Sequence, residues 1–140
     1  MSNLAKLREE HAKLIDIVQR LEHVIALPSP PSQIGLFNLR RELNSTLIAH
    51  LKAEDWVLYP RLLDSKDTRI AAVAKAFIDE MGGLAESFAA YNVKWPAAAI
   101  HADWAGYCAH SRVIIDALTN RITHENRDLY PLLGALDQAA

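Results

Sequence analysis

Glu54-Asp55-Trp56-Val57-Leu58-Tyr59-Pro60-Arg61-Leu62 returns 71 residues later as Glu125-Asn126-Arg127-Asp128-Leu129-Tyr130-Pro131-Leu132-Leu133. Both stretches fit E-[DN]-x-x-L-Y-P-x-L, and the interval is half of the 140-residue chain. A repeat of this period marks a duplicated structural unit. With a carboxylate at its head, it implies two similar helical hairpins, each presenting a Glu to the other across a shared core. The halves differ one turn upstream. His50 precedes Glu54 by four residues, so the two side chains share a helix face. Arg121 stands at that place before Glu125.

Outward from the repeat, apolar residues recur at steps of three and four, the period of an amphipathic helix. Leu4, Leu7, His11, Leu14, Val18, Leu21 and Ile25 give a first helix. Ser29-Pro30-Pro31-Ser32 ends it, because consecutive prolines remove backbone donors and push their predecessors out of helical geometry. A second stripe runs through Leu36, Leu39, Leu43, Leu47, His50, Glu54, Val57 or Leu58, and Leu62, and Ser65 and Asp67 supply cap chemistry after it. The third carries Ile70, Ala74, Phe77, Met81, Leu84, Phe88 and Tyr91. Asn92 to Pro96 is the next break, and the fourth stripe runs Ile100, Trp104, Tyr107, Ser111, Ile114, Leu118, Arg121, Glu125, Leu129 and Leu132. Strand-period alternation is absent. The sequence predicts an all-α fold of one domain over residues 1–140, an up-down-up-down four-helix bundle with a pseudo-twofold between hairpins. Pro60 and Pro131 are read as helix terminators, and Gly82-Gly83, inside the third helix, as a kink or close-packing point.

About half the residues are apolar, enough for a substantial core without staples. One cysteine, Cys108, excludes an internal disulfide, and no apolar N-terminal run precedes a cleavage-type site, so a cytoplasmic location is expected. No segment has the apolar length of a membrane helix, and a net charge of −2 with no basic stripe argues against nucleic acid. Cys108 and Ser111 lack a base and an orienting group, so an enzyme is not expected.

The chemistry lies in the polar residues that interrupt the stripes, since burying them costs free energy unless each finds a partner. These are His11, His50, Glu54, Arg121 and Glu125, all near one level of the bundle. One imidazole alone is most simply a hydrogen-bonded core residue. Two imidazoles and two carboxylates together form a ligand set for iron, manganese or zinc. His23 and His101 look exposed, and His110 looks solvated. His124 also faces away, although it lies close enough to Glu125 to serve as a substitute ligand. Tyr59 and Tyr130 fill equivalent places beneath the polar layer, their hydroxyls seeking a carbonyl or carboxylate.

Over nearly its whole length the chain resembles the hemerythrin-like, or HHE cation-binding, family. In that family a His on the first helix, an H-x-x-x-E pair on the second, a His on the third and an H-x-x-x-E pair on the fourth hold two irons. The resemblance implies His11, His50, Glu54 and Glu125 as metal ligands. It also implies two vacated positions, Met81 and Arg121, where the remaining histidines would stand.

Charge decides between the readings that follow. Two buried carboxylates require compensation, and the Arg121 guanidinium supplies part of it in place of a second ion, which it would also repel. A full di-iron centre is therefore not expected. The preferred reading is a metal-free regulatory or sensing module held by an ion-pair network of Arg121, Glu54, Glu125 and Glu80, acting through a protein partner. The alternative keeps one iron-type divalent metal on His11, His50 and Glu54 for oxygen, nitric oxide or redox sensing.

Overall fold

The computed structural model describes the backbone of residues 2–139 and the side chains of residues 4–134. Helices α1 (Ser2–Ile25), α2 (Gln33–Ala53), α3 (Tyr59–Leu63), α4 (Thr68–Met81), α5 (Leu84–Lys94), α6 (Ala97–Ala102), α7 (Trp104–His124) and α8 (Tyr130–Ala139) follow one another, and no strand occurs among the described residues. Two π-helical turns, Glu54–Leu58 and Glu125–Leu129, join α2 to α3 and α7 to α8. Among the described residues, seven of the eight helices make four rods, namely α1, α2 with α3, α4 with α5, and α7 with α8, and the short α6 packs on α7. The first packs on the second and on the fourth, α3 packs on α4, and α5 packs on α7. This is the expected four-helix bundle.

The helix starts follow the sequence. Ser32 caps α2 by accepting from the Gly35 N–H at 3.2 Å, and Asp67 caps α4 by accepting from Arg69 N–H at 3.0 Å. Ser65 Oγ accepts from the Asp67 N–H in the turn before it. Such caps satisfy backbone donors that have no intrahelical partner. Asp103 caps α7 through the Gly106 N–H at 2.9 Å, so the expected fourth helix is interrupted there and begins with the separate short α6.

Three local expectations are corrected. Pro60 and Pro131 do not end their helices, because α3 and α8 continue through them. The π-turns explain this: Tyr59 N–H bonds Glu54 O, and Tyr130 N–H bonds Glu125 O, five residues back. The wider turn relieves the clash a proline ring makes with the preceding turn, and the missing proline donor is not needed there. The added residue also settles which side chain turns inward, with Leu58 buried and Val57 exposed. Gly82-Gly83 is a full break between α4 and α5, not a point of close approach. A Cβ on Gly82 would lie 2.5 Å from its own Ile78 carbonyl oxygen, and one on Gly83 would meet nothing within 4 Å.

Two apolar clusters fill the bundle. One is built around Leu14, Leu21, Leu47, Phe88, Tyr91, Tyr107 and Leu118, the other around Leu7, Leu62, Phe77, Leu129 and Tyr130. Between them lie the buried polar residues His11, His50, Glu54, Arg121 and Glu125.

Candidate metal centre

Each polar residue reaches the middle for a local reason. His11 lies one turn after Leu7 and one before Leu14 on the inner face of α1, and both neighbours are buried. His50 ends the α2 stripe one turn before Glu54, which opens the first π-turn, as Arg121 and Glu125 do for the second. His11, His50, Glu54 and Glu125 each offer one ligand atom, and these atoms lie within 4.8 Å of one another, all four residues being buried.

Both imidazoles are held from behind. His50 Nδ1–H donates to Glu10 Oε1 at 2.6 Å, and His11 Nδ1–H donates to Asn126 Oδ1 at 2.7 Å. An acceptor behind each ring fixes the proton on Nδ1 and turns the Nε2 lone pair to the centre, the outer support that metal-ligating histidines ordinarily have. What the lone pairs meet is informative. His11 Nε2 is 3.0 Å from Glu125 Oε1, and His50 Nε2 is 3.2 Å from Glu54 Oε1. Two acceptors at such distances need a positive species between them, a proton or a metal ion. For His50 the proton is poorly placed: despite that distance its Nε2 is buried with no hydrogen-bond partner, because the alignment is wrong.

The tyrosines of the repeat cross between the halves. Tyr59 O–H donates to Glu125 Oε2 at 2.6 Å, and Tyr130 O–H donates to Glu54 Oε2 at 2.7 Å and lies 2.9 Å from His11 Nε2. The repeat therefore supplies each carboxylate with a hydroxyl from the opposite hairpin, where the sequence leaves a carbonyl or a carboxylate as the acceptor.

Arg121 is 1 % exposed, so its charge lies wholly inside the fold. Its Nε donates to Glu125 Oε2 at 3.2 Å and its Nη2 to Glu54 Oε1 at 3.1 Å. Nη2 also reaches Asp55 Oδ1 at 2.8 Å, and Nη1 donates to the Met81 carbonyl oxygen at 3.3 Å. The last contact depends on the Gly82-Gly83 break, which ends α4 at Met81. Met81 itself packs against the second apolar cluster, and its sulfur accepts from Asn120 Nδ2 at 3.7 Å.

Electrostatics follow this wiring. Burial alone would lower the His50 imidazole, but without a metal the carboxylates of Glu54 and Glu10 outweigh it and push the group up to about 8, so a proton competes with a cation for Nε2. Burial opposes ionisation of Glu54, yet His50 and Arg121 hold it down to about 2. Glu125 goes the other way, raised by burial and by the negative charge of Glu54. Burial and the adjoining carboxylates also raise Tyr59 and Tyr130, keeping their hydroxyls protonated as donors.

Several sequence expectations need correction. Glu80 is exposed and takes no part in the ion-pair network; Asp55 fills that role from the residue after Glu54. His124 stays at the edge, its Nδ1 3.0 Å from Arg127 Nη2 and 3.7 Å from Asp128, and does not approach the centre. His110 is not merely solvated, since it accepts from Trp95 Nε1 at 2.8 Å. Ser111 pairs with the Tyr91 hydroxyl at 2.7 Å, and Cys108 is partly buried against the first cluster. Reading the stripes missed Glu10, Asn126 and Asp55. Each adjoins a stripe residue, and that adjacency was the available signal.

No helix among the described residues is long and apolar enough to cross a membrane. No curated protein and no solved structure gives a significant match to the chain. The family model described as the hemerythrin HHE cation-binding domain matches residues 2–133, and the centre gathers His11, His50, Glu54 and Glu125 as a group that could hold a metal ion. By this match over nearly its whole length, the chain belongs to the hemerythrin HHE cation-binding domain family.

Proposed function

We propose that this protein is a non-catalytic sensing or regulatory module whose centre takes a single iron-type divalent cation on His11, His50, Glu54 and Glu125, with Arg121 in the place of a second ion. The observation that carries the reading is the buried His50 Nε2, which has no hydrogen-bond partner and faces Glu54 at 3.2 Å while Glu10 fixes its other nitrogen. A lone pair so directed, beside a second imidazole prepared in the same way by Asn126, suits a cation and leaves a costly vacancy in hydrogen bonding otherwise. Charge supports one ion and not two. Glu54 and Glu125 carry two negative charges, Arg121 returns one, and a further divalent cation makes the centre slightly positive, which the half-buried Asp55 and Glu10 offset. A second ion would stand against the guanidinium.

When bound, an iron-type cation supplies redox-active Lewis acidity toward small oxidants such as oxygen or nitric oxide. The chain's own residues do the rest. Glu10 and Asn126 aim the imidazoles, Tyr59 and Tyr130 hold the carboxylates by crossed hydrogen bonds, and two apolar clusters keep water away. With no nucleophile and base aligned among the described residues, the output runs through a protein partner, in a reducing, cytoplasmic setting that suits a single free thiol.

The metal-free ion-pair core is the second reading, favoured by the direct bonds from Arg121 to both central carboxylates. Metal analysis of protein purified without chelator from iron-supplemented cells separates the two. One iron-type metal per chain, lost in His50→Ala, is expected. Two irons with an oxo-bridge absorption band overturn the proposal, and no metal at all leaves the ion-pair core as the answer.

A further inference from the structure

Behind His50 lies a cleft that the metal centre does not use. It has a volume of about 160 Å³ and opens between α1, the first π-turn with α3, and α8. Leu7, Leu58 and Leu133 form an apolar floor, and Lys6, Arg61 and Glu10 contribute its polar groups. Val57, 64 % exposed, stands at the mouth. Small-molecule sites have this character, a concave apolar surface with a few polar groups that fix orientation. A cavity of about 150 Å³ lined by aliphatic side chains holds a benzene-sized guest, which sets the scale of the occupant.

Charge selects the head group. Glu10, the acid of the cleft, has its Oε1 drawn inward to His50 Nδ1 at 2.6 Å. Lys6, on the rim of the cleft, has no ion-pair partner among the described residues, so the polar side of the cleft favours an anion at Lys6. We propose that this cleft is a separate ligand site for a compact carboxylate with an apolar body, the carboxylate lying at Lys6 and the body on Leu7, Leu58 and Leu133. Its occupant touches Glu10, and Glu10 positions His50, so ligand binding is coupled to the metal centre through one side chain. Only that coupling rests on the metal reading above; the ligand site does not.

Titration of the isotope-labelled full chain with benzoate, followed by amide resonances, tests the proposal. Saturable shifts are expected at Leu7, Glu10 and Leu58, with binding weakened about tenfold or more in Lys6→Glu and with benzyl alcohol as the neutral probe. Val57→Trp, which fills the mouth at an exposed position, should abolish them. Shifts that fail to saturate, or that are the same for benzyl alcohol and in Lys6→Glu, overturn the site. Zinc affinity measured with and without benzoate then tests the coupling. A change of about threefold or more, absent in Glu10→Gln although benzoate still binds, is expected. Equal zinc affinities overturn the coupling. Benzoate binding that persists in protein unable to take zinc keeps the cleft and sinks the metal reading instead.

Discussion

Arg121 shows why a charged residue on an apolar stripe deserves to be read as chemistry. It is 1 % exposed and spends its donors on Glu125, Glu54, Asp55 and the Met81 carbonyl. Removing it leaves two buried carboxylates facing each other, so Arg121→Ala should cost about 3–5 kcal/mol in a denaturant titration of metal-free protein. Added zinc should recover part of that loss, because a cation replaces the missing charge. Arg121→Lys should rescue little, since one ammonium cannot span the same acceptors. The histidine supports make a different prediction. Glu10→Gln and Asn126→Ala should lower metal affinity about 10–100-fold in a competition titration while leaving helix content unchanged, as expected when an outer partner is lost but the ligand remains. Unchanged affinity in both variants would show that the imidazoles are not aimed by these residues. At this scale the inward turn of Arg121 was legible from spacing alone. The partner of its guanidinium was not: Glu80 sits beside Met81 on the stripe yet is exposed, while Asp55 reaches inward from beside Glu54. A one-residue step swings a side chain about 100° around a helix, and whether a long guanidinium meets it halfway depends on the neighbouring rod.

At the level of elements, the two π-turns are the device that places the site. Each begins with the central Glu and ends before the Tyr-Pro pair, so the repeat noticed in the sequence is a repeat of helical widening. Proline was read there as a terminator because its missing N–H and its ring oppose a regular helix. The wider turn admits it, and local sequence gives little warning of such a turn. The Gly82-Gly83 break makes a clean pair of tests. Gly82→Ala should destabilise, because its Cβ would sit 2.5 Å from the Ile78 carbonyl oxygen. Gly83→Ala, whose Cβ has open space, should stabilise by about 0.4–1 kcal/mol by restricting the unfolded chain. Equal effects in parallel thermal melts would remove the steric account of the break. The cap at Asp67 was visible in the sequence and has a testable value: Asp67→Ala should cost about 1 kcal/mol.

Across the whole molecule, two apolar clusters clamp one polar layer, and the layer is asymmetric although the halves are related. The first half keeps His50 opposite His11, with ring centroids 4.7 Å apart. The second presents Arg121 and Met81. Met81→His together with Arg121→His removes the internal cation and offers two further imidazoles, so the double variant should bind a second metal per chain in elemental analysis. Stoichiometry that stays at one would mean that these positions are not vacated ligand sites. Metal binding should also raise the melting temperature of the unaltered chain, since a ligand held only by the folded state stabilises it by about 2.7 kcal/mol at a hundredfold excess over its Kd. A melting temperature indifferent to zinc would argue against a preformed cation site.

Sequence alone determined the all-α bundle, the duplicated hairpins and the five polar residues of the centre, because helical period and the cost of burying charge act on local spacing. It also determined that the last rod carries a cation where a ligand would be expected. Tertiary structure decided the rest: which oxygen each donor meets, that Glu10 and Asn126 stand behind the imidazoles, that Asp55 and not Glu80 completes the network, and that the helices widen through Pro60 and Pro131. These outcomes depend on distances between rods that are far apart in the chain. Period and propensity describe one helix at a time, whereas a hydrogen bond across the core exists only once the rods have packed to a definite separation and rotation.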